Sequence, residues 1–141
     1  MPQGPTDGLD SALARIGDRW SLLIVSELLG GSMRFNELQE SVGTIASNVL
    51  SQRLRQLEAL GLVVAAPYSA RPPRYSYSLT GSGQDLAGAV RLLSRWGAEQ
   101  MGAAADGPLH DECGTSLEPH WYCPTCVRTV GDEELGEPGY I

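Results

Sequence analysis

The strongest constraint on the fold is a leucine stripe followed directly by a strand pattern. Leu50, Leu54 and Leu57 lie at helical spacing within residues 47–60. At about 100° per residue they form one apolar face, and Asn48, Ser51, Gln52 and Arg55 fall on the opposite side. Gly61 follows as a helix stop, because glycine enters the left-handed conformation without a Cβ penalty. Leu62, Val63 and Val64 then begin a strand. Residues 74–79 alternate, with Tyr75, Tyr77 and Leu79 on one face and Arg74, Ser76 and Ser78 on the other. Ser69, Ala70, Arg71, Pro72 and Pro73 read as the turn between the strands, since proline brings no N–H to a central strand. One amphipathic helix and a two-stranded hairpin cannot close a core, so further helices must complete it.

Those helices precede the stripe. Residues 1–7 are Pro, Gly and polar, and are expected to be a disordered lead-in. Leu9, Leu13 and Ile16 stand at helical spacing, with Asp10 or Ser11 near the start. Residues 20–29 are apolar almost all round and predict a buried helix that Gly30 and Gly31 end. Residues 35–42 predict a short helix, with Asn36 near its start and Gly43 at its end. Four helices and then a hairpin is the order of a winged helix-turn-helix, mainly α with a small β wing (α+β). A long helix is expected next, over about residues 82–103, with Ser82 as its cap. Leu86, Val90, Leu93 and Trp96 form its stripe, with Leu92 and Met101 offset. That apolar surface is wider than one small domain needs for packing. Leu86, Val90, Leu93 and Trp96, with Leu9 and Leu13 of the first helix, are therefore the expected dimer contacts. The expected organisation is a lead-in (1–7), a winged-helix and dimerisation domain (8–104), an extension (105–130) and an acidic tail (131–141).

The net charge of −7 over 141 residues is unevenly divided. Residues 1–98 hold nine Arg and eight acidic residues, net +1, whereas residues 99–141 hold one Arg and nine acidic residues, net −8. Within residues 33–80 five Arg face three Glu, so a local basic surface survives the acidic total. No apolar run approaches the roughly 20 residues of a membrane helix. Residues 1–7 lack the basic and apolar regions of a signal peptide, so the cytoplasm is the expected location. Gly81, Ser82 and Gly83 precede a helix, but the next glycine, Gly88, falls at the wrong spacing for a nucleotide loop. With no nucleophile elbow or metalloprotease motif either, an enzyme is not expected.

Several spaced motifs occur in order: Ala12 and Leu13, then Ile16 to Trp20 (IGDRW), Arg34 to Leu38 (RFNEL), and Leu50 to Glu58 (LSQRLRQLE). Gly61, Leu62 and Val63 follow, then Tyr68, Pro72 to Arg74, Tyr77 to Thr80 (YSLT), and Trp96 with Gly97. Over about residues 9–100 the chain resembles the HxlR family of bacterial, MarR-like transcription regulators. The resemblance implies a winged-helix homodimer on pseudo-palindromic operators, and a repressor is expected. Several members sense electrophiles through a Cys ahead of the first helix; here no Cys precedes Cys113, so that mechanism does not carry over. Members also commonly have Ser where Ala46 stands, which leaves Thr44 or Ser47 to cap the helix.

The helix face over residues 47–55 has the chemistry for reading bases. A helix about 10–12 Å across fits the major groove, where each base pair shows a distinct donor and acceptor pattern. Asn48 and Gln52 suit adenine, Arg55 or Arg53 guanine or phosphate, Ser51 either, and Ser47 adjoins them. Arg71 and Arg74 flank the wing prolines and suit the minor groove or phosphates, and Arg34 suits a phosphate clamp. Each also has a plainer role. Outward Asn, Gln and Ser side chains are often only solvated, and Arg71 and Arg74 could simply solubilise a hairpin. Arg53, nearer the edge of the apolar stripe, equally suits an internal salt bridge to Glu37, Glu40 or Glu58. A small-molecule effector could bind between the dimerisation and DNA-binding helices, although no polar cluster marks its site. The alternative function is a winged-helix protein-interaction module with a zinc-stabilised or redox-active tail.

All three Cys lie within residues 113–126, and an odd number argues against a disulfide framework. His110 and Cys113 are separated by two residues, as are Cys123 and Cys126. That spacing suits a four-coordinate structural zinc site with one nitrogen and three sulfur ligands, a small zinc-ribbon-like extension. His120 is the alternative nitrogen ligand. Reduced surface cysteines or a redox pair at Cys123 and Cys126 remain the other readings. The acidic residues after Gly131 suit a solvated tail, or one that competes with DNA for the Arg surface.

Overall fold

The computed structural model describes residues 7–103 and 107–136, and the chain divides into two compact units. The first, residues 8–90, holds α1 (Asp7–Ile16), α2 (Arg19–Leu28), the two-residue β1 (Met33–Arg34), α3 (Phe35–Val42) and α4 (Ser47–Ala59). The hairpin β2 (Val63–Ala70) and β3 (Pro73–Leu79) and the single turn α5 (Gly81–Gln84) complete it. Helix α6 (Ala87–Gln100) begins in this unit and runs on into the second.

The core of the first unit follows from the apolar stripes. Ile24, Val25 and Leu28 of α2, Leu38 of α3, and Leu50, Leu54 and Leu57 of α4 are all buried, joined by Ile16, Ile45, Val63 and Val90. Helix α2 is capped by Asp18, whose carboxylate accepts from the N–H groups of Trp20 and Ser21, each at 3.0 Å. Such a cap satisfies donors that the first helical turn leaves open. Helix α4 has no side-chain cap, because Ala46 stands at the N-cap position and Ser47 is already helical. Gln39 of α3 braces that end instead, donating to Ile45 O at 3.1 Å and to Ser47 Oγ at 3.0 Å. Gly61, at φ +73°, ends the helix in the left-handed conformation.

The sheet runs β1-β3-β2, all antiparallel. Met33 pairs with Tyr77 and Arg34 with Ser76, so the residues just before α3 are stitched to the wing. In the hairpin, Val63 pairs with Leu79 and Ala70 with Pro73. The turn is therefore shorter than the expected 69–73. Ser69, Ala70 and Pro73 belong to strands, and proline is tolerated there because it sits at the first position of β3. The register slips between Pro67 and Ser69, leaving Tyr68 as a bulge.

Three further expectations are corrected. Asp7 lies in α1, so the lead-in cannot extend to it, and residues 1–6 fall outside the described residues. The cap after the wing is Thr80, not Ser82: Thr80 Oγ1 accepts from Gly83 N at 3.1 Å and donates to Gly61 O. The helix expected over 82–103 is interrupted at Asp85 and Leu86. Glycine weakens helices by about 1 kcal/mol each, and Gly81, Gly83 and Gly88 surround this break. Leu86 N bonds Gly83 O at 3.2 Å, a tightened turn, before the regular ladder resumes with Val90 N to Leu86 O at 3.0 Å.

The second unit has a different economy. A bridge between Leu109 and Ser116 closes one small loop, and β4 (Trp121–Cys123) pairs with β5 (Arg128–Val130) to form a hairpin. A single 3-10 turn, Asp132–Glu134, follows, and Arg128 forms an ion pair with Glu134. No side chain among residues 91–103 and 107–136 is buried.

A specific packing test lies at Gly83. A Cβ placed there would stand 2.2 Å from Leu62 O, a backbone atom that cannot swing away. Gly83→Ala is expected to destabilise the first unit by about 1–3 kcal/mol in chemical denaturation, the usual cost of overpacking. Unchanged stability would show that α5 is not held against the start of β2.

Candidate nucleic-acid interface

The direction in which α4 presents its outer face is set by what its inner face buries. With Leu50, Leu54 and Leu57 in the core, Asn48, Gln52 and Arg55 are exposed on the opposite side and Ser51 is half-buried beside them. At about 100° per residue these four occupy roughly one quarter of the helix circumference, a single readable strip. Arg55 Nε makes only a 3.4 Å contact to Ser51 O, within its own helix. Ser47 is exposed but is held by Gln39 at the start of the helix.

Arg53 does not stand with them. It is half-buried, its Nε lies 3.4 Å from Asp18 Oδ1, and its Nη1 donates to Gln56 Oε1 at 2.9 Å. Gln56 in turn donates to Arg15 O at 3.2 Å. These contacts tie α4 to the end of α1 and the cap of α2. The internal ion pair considered for Arg53 is thus realised, with Asp18 in place of Glu37, Glu40 or Glu58. Burial pushes the Asp18 carboxyl up. The hydrogen bonds from the Ser21 hydroxyl and N–H and from Trp20 N–H, with the Arg53 charge, outweigh it and hold the carboxyl below its ordinary value.

The wing and the start of α3 form a second basic region. Arg34, in β1, lays its guanidinium over the ring of Tyr68 at 4.4 Å from the centroid, a cation–π contact. Tyr68 is the bulged residue of β2, so the bulge offers the ring to this arginine. Arg34 N also donates to Glu37 Oε2 at 3.0 Å, which secures the first turn of α3. Arg34, Tyr68, Arg74, Tyr75 and Tyr77 line an open cleft of about 540 Å³. Burial, with the neighbouring Glu58 and Tyr75, raises the Tyr77 hydroxyl above its ordinary value. Arg71 and Arg74 are exposed at and beside the hairpin tip. Arg34, Arg55, Arg71 and Arg74 are thus four exposed cations on the face-forming elements of this unit.

Of the residues expected at a dimer seam, Leu9, Leu13, Leu93 and Trp96 are more than half exposed, and Leu92 and Met101 are also exposed. Leu86 and Val90 differ. Val90 is 6% exposed and Leu86 packs against the same core, because both lie in the part of the chain that closes the first unit. Trp20 likewise packs on that core and has Arg19 over its ring.

The cysteine segment brings its donors together in pairs. His110 Nδ1 lies 3.3 Å from Cys113 Sγ, and Cys126 N donates to Cys123 Sγ at 3.4 Å. His120 sits instead 3.4 Å from Glu118 Oε2. Among the described residues, no three His, Cys, Asp or Glu side chains converge on one point. Sequence reasoning missed the bracing roles of Asp18, Gln39 and Gln56 and the Arg34–Tyr68 contact. An Asp immediately before a helix is a cap signal and was available; the others depend on which elements meet in space.

This architecture, an amphipathic helix with a polar outer strip beside a basic wing, defines a winged helix-turn-helix DNA-binding protein. The chain belongs to the HxlR-like helix-turn-helix family, which matches residues 15–105. An HTH-type transcriptional regulator of Mycobacterium tuberculosis is 38% identical over 137 residues, covering 94% of this chain and 86% of the relative. Among solved structures, a Pseudomonas aeruginosa protein assigned as a transcription factor matches with a TM-score of 0.68 and 31% identity. It covers 92% of this chain and 90% of its own length. The redox regulator HypR in its oxidized form matches with a TM-score of 0.61 and 33% identity, over 65% of this chain and 95% of its own. The chain is accordingly a transcriptional regulator of the HTH type, in a family of regulators rather than enzymes. Among the described residues, no helix is long and apolar enough to cross a membrane.

Asp18 provides a pH test of the bracing network. Its folded carboxyl is held below the ordinary value of 3.8. The charge therefore contributes stability above that value, which is lost as pH falls through the lower folded value. Asp18→Asn keeps capping ability and removes the charge. The wild-type chain is expected to be the more stable at neutral pH, with the gap closing on acidification below the ordinary aspartate range. A gap that stays constant across that range in thermal unfolding would contradict the account.

Proposed function

We propose that this regulator acts as a homodimeric repressor in the cytoplasm, binding a pseudo-palindromic operator with α4 in the major groove and the wing on the minor groove or phosphates. The observation that carries the reading is the outer strip of α4. Asn48, Gln52 and Arg55 are exposed and hold no partner outside their own helix among the described residues, while the opposite face is wholly buried. Asn and Gln match adenine, and Arg matches guanine. Arg34, Arg71 and Arg74 supply backbone-directed charge, which sets register without reading sequence.

A dimer accounts for the apolar side chains left in solvent. Leu9 and Leu13 on α1 are 62% and 54% exposed, and Leu93 and Trp96 on α6 are 55% and 63% exposed. A two-fold pair of recognition helices spans about 34 Å, one turn of duplex, and so calls for two half-sites at that spacing. Occupying such a site within a promoter blocks polymerase, which makes repression the simplest regulatory outcome. A small-molecule effector would act by changing the spacing of the two α4 helices.

Arg34, Arg71 and Arg74 of each protomer give six backbone-directed cations per dimer. Six to ten phosphate contacts lower affinity about 10³–10⁵-fold between about 50 and 200 mM salt. In fluorescence anisotropy on a duplex from the gene's own upstream region, Gln52→Ala is expected to cost about 1–3 kcal/mol on the matched duplex and little on a scrambled one. Arg71→Ala and Arg74→Ala should weaken both duplexes alike and each reduce the salt slope by about 1. Equal loss on both duplexes for Gln52→Ala would remove α4 as the reading element.

A further inference from the structure

We propose that His110, Cys113, Cys123 and Cys126 form a structural zinc site that folds the second unit. The inference is independent of the DNA-binding reading and rests on two turns that share one backbone design. In the first, Gly114 N donates to His110 O at 2.7 Å, and Gly114 takes φ +68°. In the second, Val127 N donates to Cys123 O at 2.8 Å, and Val127 takes φ +55°. Each turn thus holds its two donors three residues apart and reverses the chain through a left-handed residue directly after the second donor. A β-branched side chain pays a steric penalty in that conformation, so at Val127 something beyond local preference holds the turn.

The donor chemistry agrees. His110 Nδ1 and Cys113 Sγ are 3.3 Å apart. Two ligands at the usual zinc–nitrogen and zinc–sulfur lengths of a tetrahedral site stand about 3.6 Å from each other, so this pair needs only a slight opening to share an ion. The Cys126 N–H already points at Cys123 Sγ, where it would stabilise a thiolate. His120 lies 3.4 Å from Glu118 Oε2 rather than beside a thiol, so His110 is taken as the nitrogen ligand.

The surrounding structure supplies the need. Residues 107–136 bury no side chain, and the two loops are closed by a single bridge and a three-pair hairpin. A segment with so little core draws its folding energy from a staple; the two donor pairs do not converge on one point among the described residues, and a metal that drew both turns together would supply that staple. On binding, each of the three thiols releases a proton to solvent as its sulfur–zinc bond forms, and the imidazole contributes a neutral lone pair. Four filled positions leave none open for catalysis.

The test uses the full chain purified under reducing conditions, with zinc measured by mass spectrometry and cobalt(II) as a spectroscopic substitute. One zinc per chain is expected. Cobalt should give visible d–d bands of a tetrahedral ion together with thiolate charge-transfer absorption. The three thiols should resist a disulfide reagent until a chelator is added, a readout that needs no variant. Cys123→Ser and His110→Ala should lose tight binding, while His120→Ala keeps it and the thermal transition of the winged helix is unchanged throughout. A reduced chain that takes up neither metal would overturn the proposal, as would full zinc retention in Cys123→Ser. Metal-free protein with Cys123 and Cys126 joined in a disulfide would also overturn it, in favour of a redox pair. Loss in His120→Ala with retention in His110→Ala would refute the ligand set.

Discussion

The burial of Leu50, Leu54 and Leu57 in the core they share with α2, α3 and β2 is the interaction on which the rest of the first unit depends. A helix has one rotational degree of freedom about its axis, and three fully buried leucines on one stripe remove it. Once that rotation is set, Asn48, Gln52 and Arg55 have nowhere to point but solvent. The polar contacts refine this placement rather than create it. Asp18, Arg53 and Gln56 fix the helix against α1 and α2 on one side, and Gln39 holds its uncapped start on another. Arg53 illustrates the division of labour. It has the same chemistry as Arg55 two residues on, yet its position at the edge of the stripe brings it to Asp18 and into the scaffold.

The two units solve the folding problem by different means. Residues 8–90 gather eleven buried apolar residues, counting Val90 at the start of α6. The later unit combines short hairpins, exposed aromatics such as Trp121 and Tyr122, and one Arg128–Glu134 ion pair. An exposed pair of that kind contributes little stability. All three cysteines lie in this later unit, where no side chain among the described residues is buried.

Much of the first unit is legible from local patterns. The stripe of α4, the extent of α3 and the alternation through Tyr75, Tyr77 and Leu79 each follow from periodicity. The exposed strip on α4 is legible for the same reason, as the complement of the stripe. What escapes local reading has identifiable causes. The break at Asp85 and Leu86 comes from three weakly helical glycines and from Gly83 packing on Leu62 O, a long-range contact. Without that break, Leu86 and Val90 look like surface positions of one long amphipathic helix. The wing turn is tighter than expected because Pro73 opens a strand instead of prolonging the loop. The Arg34–Tyr68 contact requires both the pairing of β1 with β3 and the bulge in β2, neither of which leaves a periodic trace.

The role proposed for α4 is to read a two-fold symmetric DNA sequence. The most direct measurement is selection of the full chain on a pool of random duplexes, followed by sequencing of the bound fraction. The account predicts enrichment of an inverted repeat whose half-sites are centred about one helical turn apart, with an adenine or guanine preference at the positions facing Asn48, Gln52 and Arg55. A pool that stays random after repeated rounds, or enrichment of a single half-site without a symmetric mate, would contradict it.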